Sequence, residues 1–301
     1  MRTAARTMGG LLGLCGCLIG SEPAWGEKKD IGLSVEPGWF VIRSVPVGQL
    51  YDLDRHLGTR FKIHNGSDRP RRYRLKADRP DKVGVKVLKG YDGIPDPNWF
   101  WFEKAEVLVP ANGVEDIRMF LRLPNEEKYC NQKWAVGIDV EGRPEADEGL
   151  VLGVSPVFYI ETETRASVKK EPAGLLGLVP ATLILDNTAL GKNTTRSVIK
   201  VYNNDSRAHR YRIASMIPAA EPGRQVISPS PGFSWIPHKE WLKPSTSALQ
   251  SEPHEQTAIT VEADIPQKQA FRNHRWDGII FVESEEGATG FVRVQMKTSE
   301  R

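Results

Sequence analysis

The sequence predicts an all-β chain built as two tandem β-sandwich domains related by internal duplication. One observation is a motif present twice. Pro124, Tyr129, Asn131, Lys133 and Trp134 recur, in the same order and spacing, as Pro266, Phe271, Asn273, Arg275 and Trp276, offset by 142 residues. Self-similarity at a fixed offset reads as two copies of one structural unit. The second observation is apolar alternation of period 2 on both sides of that motif, the mark of strands with one buried face. Ile117, Met119, Leu121 and Leu123 precede the first proline as Ile259, Val261, Ala263 and Ile265 precede the second. Downstream, Trp134, Val136, Ile138 and Val140 answer Trp276, Gly278, Ile280 and Val282. The third is the density of short apolar runs cut by Gly, Pro, Asn and Asp. No stretch holds a 3.6-residue period over three turns, which suits a sandwich.

Residues 1–26 read as an export signal. Arg2 and Arg6 give a basic start, residues 11–19 an apolar stretch too short to span a bilayer, and Ala24-Trp25-Gly26 a small-x-small cleavage site. A second reading keeps Cys17 as a lipidated residue, because Leu14-Cys15-Gly16-Cys17 resembles a lipoprotein box. With the signal removed, Cys130 is left alone and no internal disulfide is expected. Cys130 aligns with Arg272 of the second copy, which argues for an outward-facing position and against a catalytic thiol.

The first domain is expected over residues 27–164, with strands at 32–35, 40–44, 60–64, 71–76, 84–88, 99–102, 106–109, 116–123, 133–141 and 150–164. Each is an apolar or alternating run, and turn sequences such as Asn65-Gly66-Ser67 and Asp92-Gly93 separate them. Pro156 interrupts the last strand and marks an edge or a bulge there. A polar, charged stretch follows, and residues 165–177 are expected to link the domains. The second domain, 178–301, is expected to hold strands at 181–185, 197–203, 211–215, 233–236, 257–265, 278–283 and 290–297. Residues 218–231, rich in Pro, Gly and Ser, read as a lid or contact loop. A further matching block relates Asn65 to Asn203, and Arg72-Tyr73-Arg74-Leu75 to Arg210-Tyr211-Arg212-Ile213, at an offset of 138. The second copy therefore carries a net insertion between its blocks, as surface loops tolerate.

A strand ending in Asn, a polar turn, Tyr-x-Leu/Ile, and then a tryptophan-bearing segment resemble bacterial immunoglobulin-like domains. That group includes major-sperm-protein-like and hydin-type domains and the domains of periplasmic pilus-assembly chaperones. The resemblance implies immunoglobulin-like sandwiches, and periplasmic pilus chaperones are likewise exported pairs of such domains. The chaperones' cleft Arg–Lys pair has no recognisable counterpart in the sequence.

The formal net charge of +3 suits a soluble protein and does not suggest nucleic-acid binding, which favours a strongly basic face. No transmembrane helix is expected. The six histidines lack zinc spacing, and HExxH, Gly-x-Ser-x-Gly and phosphate-binding glycine loops are missing, so no enzyme, metal or cofactor is expected.

Three surfaces are candidates for partner binding. In the aromatic stretch 99–102, Trp99 and Trp101 should face one way and Phe100 and Phe102 the other, leaving one pair for a peptide or sugar. Phe233 and Trp235 are taken as its second copy. Arg72 and Arg74, with Arg210 and Arg212 as their repeat, would suit an acidic partner if they are more than a solvated sheet face. Val157 and Tyr159 alternate with Phe158 and Ile160 on what could be a free edge for β-augmentation. The expected function is that of a non-enzymatic, exported bacterial envelope protein, periplasmic or at the cell surface, acting by protein–protein contact or assembly. The alternatives are a pilus-type assembly chaperone with pilus-like subunits as partners, and a carbohydrate-binding module.

Overall fold

The computed structural model describes residues 32–144, 151–188, 190–191, 195–218 and 227–298. The expected signal with Cys15 and Cys17, and part of the 218–231 loop, lie outside the described residues.

The first sandwich contains β1 (Leu33–Glu36), β2 (Trp39–Val45), β3 (Leu50–Asp52), α1 (Leu53–Leu57), β4 (Phe61–Asn65), β5 (Arg71–Asp78) and β6 (Asp92–Gly93). It continues with β7 (Phe100–Phe102), β8 (Glu106–Val109), β9 (Val114–Ile117), β10 (Met119–Arg122), β11 (Lys133–Pro144), β12 (Leu152–Val154) and β13 (Val157–Thr162). One layer comprises β1-β4-β9 and β3-β10-β7; the other is β2-β13-β11-β5-β8. The second sandwich contains β14 (Leu176–Val179), β15 (Thr182–Thr188), β16 (Thr195–Asn203), β17 (His209–Met216), β18 (Ser234–Trp235), β19 (Leu242–Pro244), β20 (Ala248–Ser251), β21 (Gln256–Ala263), β22 (Arg275–Ser284) and β23 (Thr289–Thr298). Its layers are β14-β16-β21-β19 and β15-β23-β22-β17-β20. In each half the first strand pairs antiparallel in one sheet, passes a proline (Pro37 or Pro180), and continues parallel to the last strand of the other sheet. The chain is a tandem of immunoglobulin-like sandwiches.

Both matching sequence blocks have a structural role in each half. Asn65 is buried, and its side-chain amide donates to the carbonyls of Arg69, Val109 and Pro110 at 2.9, 3.1 and 2.9 Å. Asn203 donates likewise to Arg207, Ser251 and Glu252 at 2.8, 3.2 and 2.9 Å. One side chain thus satisfies carbonyls of two turns that the ladders leave open, as buried polar groups require. In the tryptophan motif, Trp134 packs with Trp99 and Tyr129, at ring separations of 5.7 and 5.9 Å. Trp276 packs with Trp241 and Phe271 at 6.2 and 6.5 Å. Trp134 is buried, whereas Trp276 is half-buried. Asn131 and Asn273, with φ of 62° and 53°, take the left-handed conformation that asparagine tolerates better than most residues.

Several expectations need correction. Residues 84–88 form no strand; Val85, Val87 and Leu88 instead pack on the apolar cluster between the sandwiches. Their alternation reflects that burial and not a ladder. β14 begins inside the stretch expected to be linker, and β3, α1 and β20 are short elements without a resolvable period. Cys130 is fully buried, not outward-facing, and burial pushes its thiol up to about 11, the direction of an inert thiol. The counterpart of Trp99 is Trp241, at the end of an equivalent 3-10 turn, and not Trp235, which lies in β18.

A candidate protein-contact cleft between the sandwiches

The two sandwiches pack through the outer faces of corresponding sheets. On β13, Phe158 and Ile160 fill the first core, while Val157 and Tyr159 point the other way into a separate cluster. That cluster joins Tyr91 and Ala135 of the first sandwich to Ile227, Ile279 and Phe291 of the second. The rings of Tyr91 and Phe291 meet edge-on at 5.5 Å, and Gly90 approaches so closely that a Cβ there would lie 2.4 Å from the Phe291 ring.

Beside this apolar seam lies a buried polar network. Arg293 on β23 donates through Nη2 to Glu161 Oε1 on β13 at 3.0 Å, and through Nη1 to Asp277 Oδ2 on β22 at 3.3 Å. Tyr91 Oη donates to the same Glu161 oxygen at 2.7 Å. Burial alone would raise the Glu161 carboxyl, but Arg293, Lys133 and Arg43 outweigh it and hold it below the usual carboxylate range. Arg43, on β2, reaches across and donates to the carbonyls of Ser228 and Pro229 at 2.9 and 3.0 Å. Arg293 Nη1 donates to the Ser228 carbonyl as well, at 3.0 Å. The described end of the Pro-rich loop is therefore a contact loop, held by its main chain between two arginines from different sandwiches. Lys133 extends over the Phe291 ring at 4.4 Å, and burial brings its ammonium down to about 8.

The network forms the floor of an open cleft of about 540 Å³. Arg43 and Ser44 of β2 line one wall, and Thr182, Leu183 and Ile184 of β15 line the other. Both strands end their sheets: among the described residues β2 pairs with β13 and β15 with β23, and neither has a second neighbour. Ile184 is 56% exposed at the cleft wall. The Nε groups of Arg43 and Arg293 are buried without a hydrogen-bond acceptor.

The sequence-predicted residues do not form one site. Val157 and Tyr159 lie on a strand paired on both sides, by β2 and β11, and are buried against the second sandwich, so the expected free edge is not there. Trp99 is half-buried in the aromatic cluster, whereas Trp101 projects from the opposite face, stacked on Phe120 at 5.7 Å and 37% exposed. Trp99 and Trp101 do not share a surface because the 3-10 turn places Trp99 before the strand begins. The positions of Trp101 and Phe120 carry Lys243 and Glu262 in the second sandwich, in the same register. Arg72 and Arg74 are exposed on β5, and Arg210 and Arg212 on β17. Arg74 pairs with Glu141 at 2.8 Å and Arg210 with Glu285 at 3.8 Å, an ordinary solvated arrangement. Arg43, Glu161 and Arg293 carried no sequence signal, since each is a single charge within an alternating strand. Among the described residues no three His, Cys, Asp or Glu side chains gather as metal ligands, and no helix is long and apolar enough to cross a membrane.

No family model matches the sequence, and no curated protein matches it. Solved structures similar to it include a protein of unknown function from Porphyromonas gingivalis W83. It is 12% identical, with 88% of this chain and 99% of that chain covered and a TM-score of 0.33. The E. coli chaperone DraB is 10% identical, with 89% and 98% covered and a TM-score of 0.31. A PapD-like domain of human CEP192 is 14% identical, with 53% and 99% covered and a TM-score of 0.28.

Proposed function

We propose that this chain is a non-enzymatic, exported envelope protein that holds another polypeptide in the cleft between its sandwiches, in the manner of an assembly chaperone. The observation that carries the reading is that two open edge strands, β2 and β15, one from each sandwich, border a single cleft. Edge strands offer unpaired backbone N–H and C=O groups, and an extended chain laid along one gains affinity from its own backbone. The export reading rests on residues 1–26 of the sequence. In the narrower form of this proposal the client is a surface or fimbrial-type subunit, and it meets β2 or β15 instead of residues 157–160.

A second contact face is favoured by the exposed Trp101–Phe120 pair, which replaces a charged pair of the other sandwich and could stack on a peptide or a sugar. An envelope pull-down with Ile184→Asp and Trp101→Ala variants, each first shown to be folded by circular dichroism, separates the two. The cleft reading expects Ile184→Asp to lose the partner and Trp101→Ala to keep it. The reverse result would move the contact to the aromatic face.

A further inference from the structure

His209 opens β17 at the far end of the second sandwich and is 7% exposed. Both of its ring nitrogens face carboxylates: Nε2 lies 2.8 Å from Asp205 Oδ2, and Nδ1 lies 2.7 Å from Glu286 Oε2. An ionised carboxylate only accepts, and a neutral imidazole carries one N–H. Both bonds therefore form together when the ring is an imidazolium. Asp205 belongs to the turn between β16 and β17, and Glu286 to the turn between β22 and β23; the β17–β22 ladder ends beside them, with the Glu285 amide donating to the Arg210 carbonyl at 3.1 Å, and the charged ring joins the two turns beyond that end.

The first sandwich supplies an internal comparison. Arg71 stands six residues after Asn65, as His209 stands six after Asn203, and Arg71 Nε donates to Ser67 Oγ at 3.2 Å. The same corner thus carries a permanent cation in one sandwich and a titratable one in the other. The β22–β23 turn also leads directly into Thr289, whose Oγ1 accepts from the Gly90 amide of the first sandwich at 2.9 Å. We propose that His209 is a pH-dependent staple: protonated, it ties residues 204–208 to residues 285–288 and supports the Thr289–Gly90 contact between the sandwiches, and deprotonated it releases one of the two turns.

The other groups around the ring are accounted for. Arg207 lies in the Asp205 turn, 3.7 Å from that carboxylate, and Glu285 adjoins Glu286. On its own strand, Tyr211 meets the ring at 6.0 Å, and β20 places Ser251 opposite His209 with Glu252 beyond it. Arg79, Asp92 and Lys128 of the first sandwich line the same groove of about 950 Å³. The hydrogen bond to Asp205 raises the imidazole pKa against the effect of burial, and Glu286 adds to it. A group whose pKa is raised by folding contributes fully below its unfolded value, about 6.5, and loses that contribution as pH rises through the folded value.

The test combines an NMR titration of the His209 ring with amide hydrogen exchange at residues 284–290, at pH 6 and pH 9 and corrected for intrinsic rates. Wild type, His209→Arg and His209→Gln are compared. The ring should titrate above about 6.5. Wild-type protection should be lower at pH 9 than at pH 6, because the staple is lost as the ring deprotonates. His209→Arg should hold its protection at both, and His209→Gln should have low protection at both. A ring that titrates at or below about 6.5, or wild-type protection equal at the two pH values, would overturn the proposal, and the wild-type titration decides even if a variant does not fold.

Discussion

Arg293 of the second sandwich and Glu161 of the first meet at 3.0 Å, 1% and 9% exposed in their side chains, a buried ion pair across the junction. Two charges held out of water depend on each other, because removing one leaves the other buried and uncompensated. Arg293→Met should therefore destabilise the protein by about 3–5 kcal/mol in urea unfolding, more than loss of an exposed pair such as Arg74–Glu141. Since the folded Glu161 carboxyl lies below its ordinary value, its contribution is present above about pH 4.3 and is lost as pH falls through the folded value. Glu161→Gln should flatten that acid limb of the stability curve.

Lys133 gives a linkage of the same sign in a higher pH window. Its ammonium is held at about 8 by burial, below its ordinary value of 10.5, so the unfolded chain binds more protons between these values. Stability should rise with pH across that window. Lys133→Met should abolish the rise, and chemical denaturation at pH 7.5 and pH 10 would measure it.

The aromatic clusters give a prediction that separates the halves. Trp134 is buried among Trp99 and Tyr129, and Trp134→Ala should cost about 3–5 kcal/mol through lost burial and a cavity. Trp276 is half-buried, so Trp276→Ala should cost distinctly less. Equal losses by denaturant titration would contradict the difference in packing.

How much of this was legible in the sequence depends on the distance over which each feature is determined. The strands around Trp134 and Trp276 were readable because period-2 alternation is local. The two-faced nature of β13 was readable for the same reason, and Phe158 and Ile160 do face the core while Val157 and Tyr159 face away. What covers those outer residues was not readable, since the pairing partner β2 and the packing partner Phe291 are distant in sequence. The match of Trp99 with Trp241 has a local signal in the sequence. Ile94 and Pro95 precede Trp99 at the spacing with which Ile236 and Pro237 precede Trp241, already at the offset of 142. The pairing of β6 and β18 with the tryptophan strands holds the same offset, so the insertion lies before residue 234 and Trp235 answers Gly93, not Trp99. The polar floor of the cleft had no such signal: Glu161 and Arg293 are 132 residues apart, and nothing local distinguishes them from surface charges.

Site-specific photocrosslinking in cells tests the cleft most directly. A photoreactive residue is placed at Ser44 or Ile184, on the two cleft walls, and as a control at Leu108, which is 45% exposed on the edge strand β8 at the far side of the first sandwich. An extended chain held between β2 and β15 predicts one discrete crosslinked partner from both cleft positions and none from Leu108. Partner crosslinks from Leu108 with none from Ser44 or Ile184, in variants that fold like wild type, would contradict it.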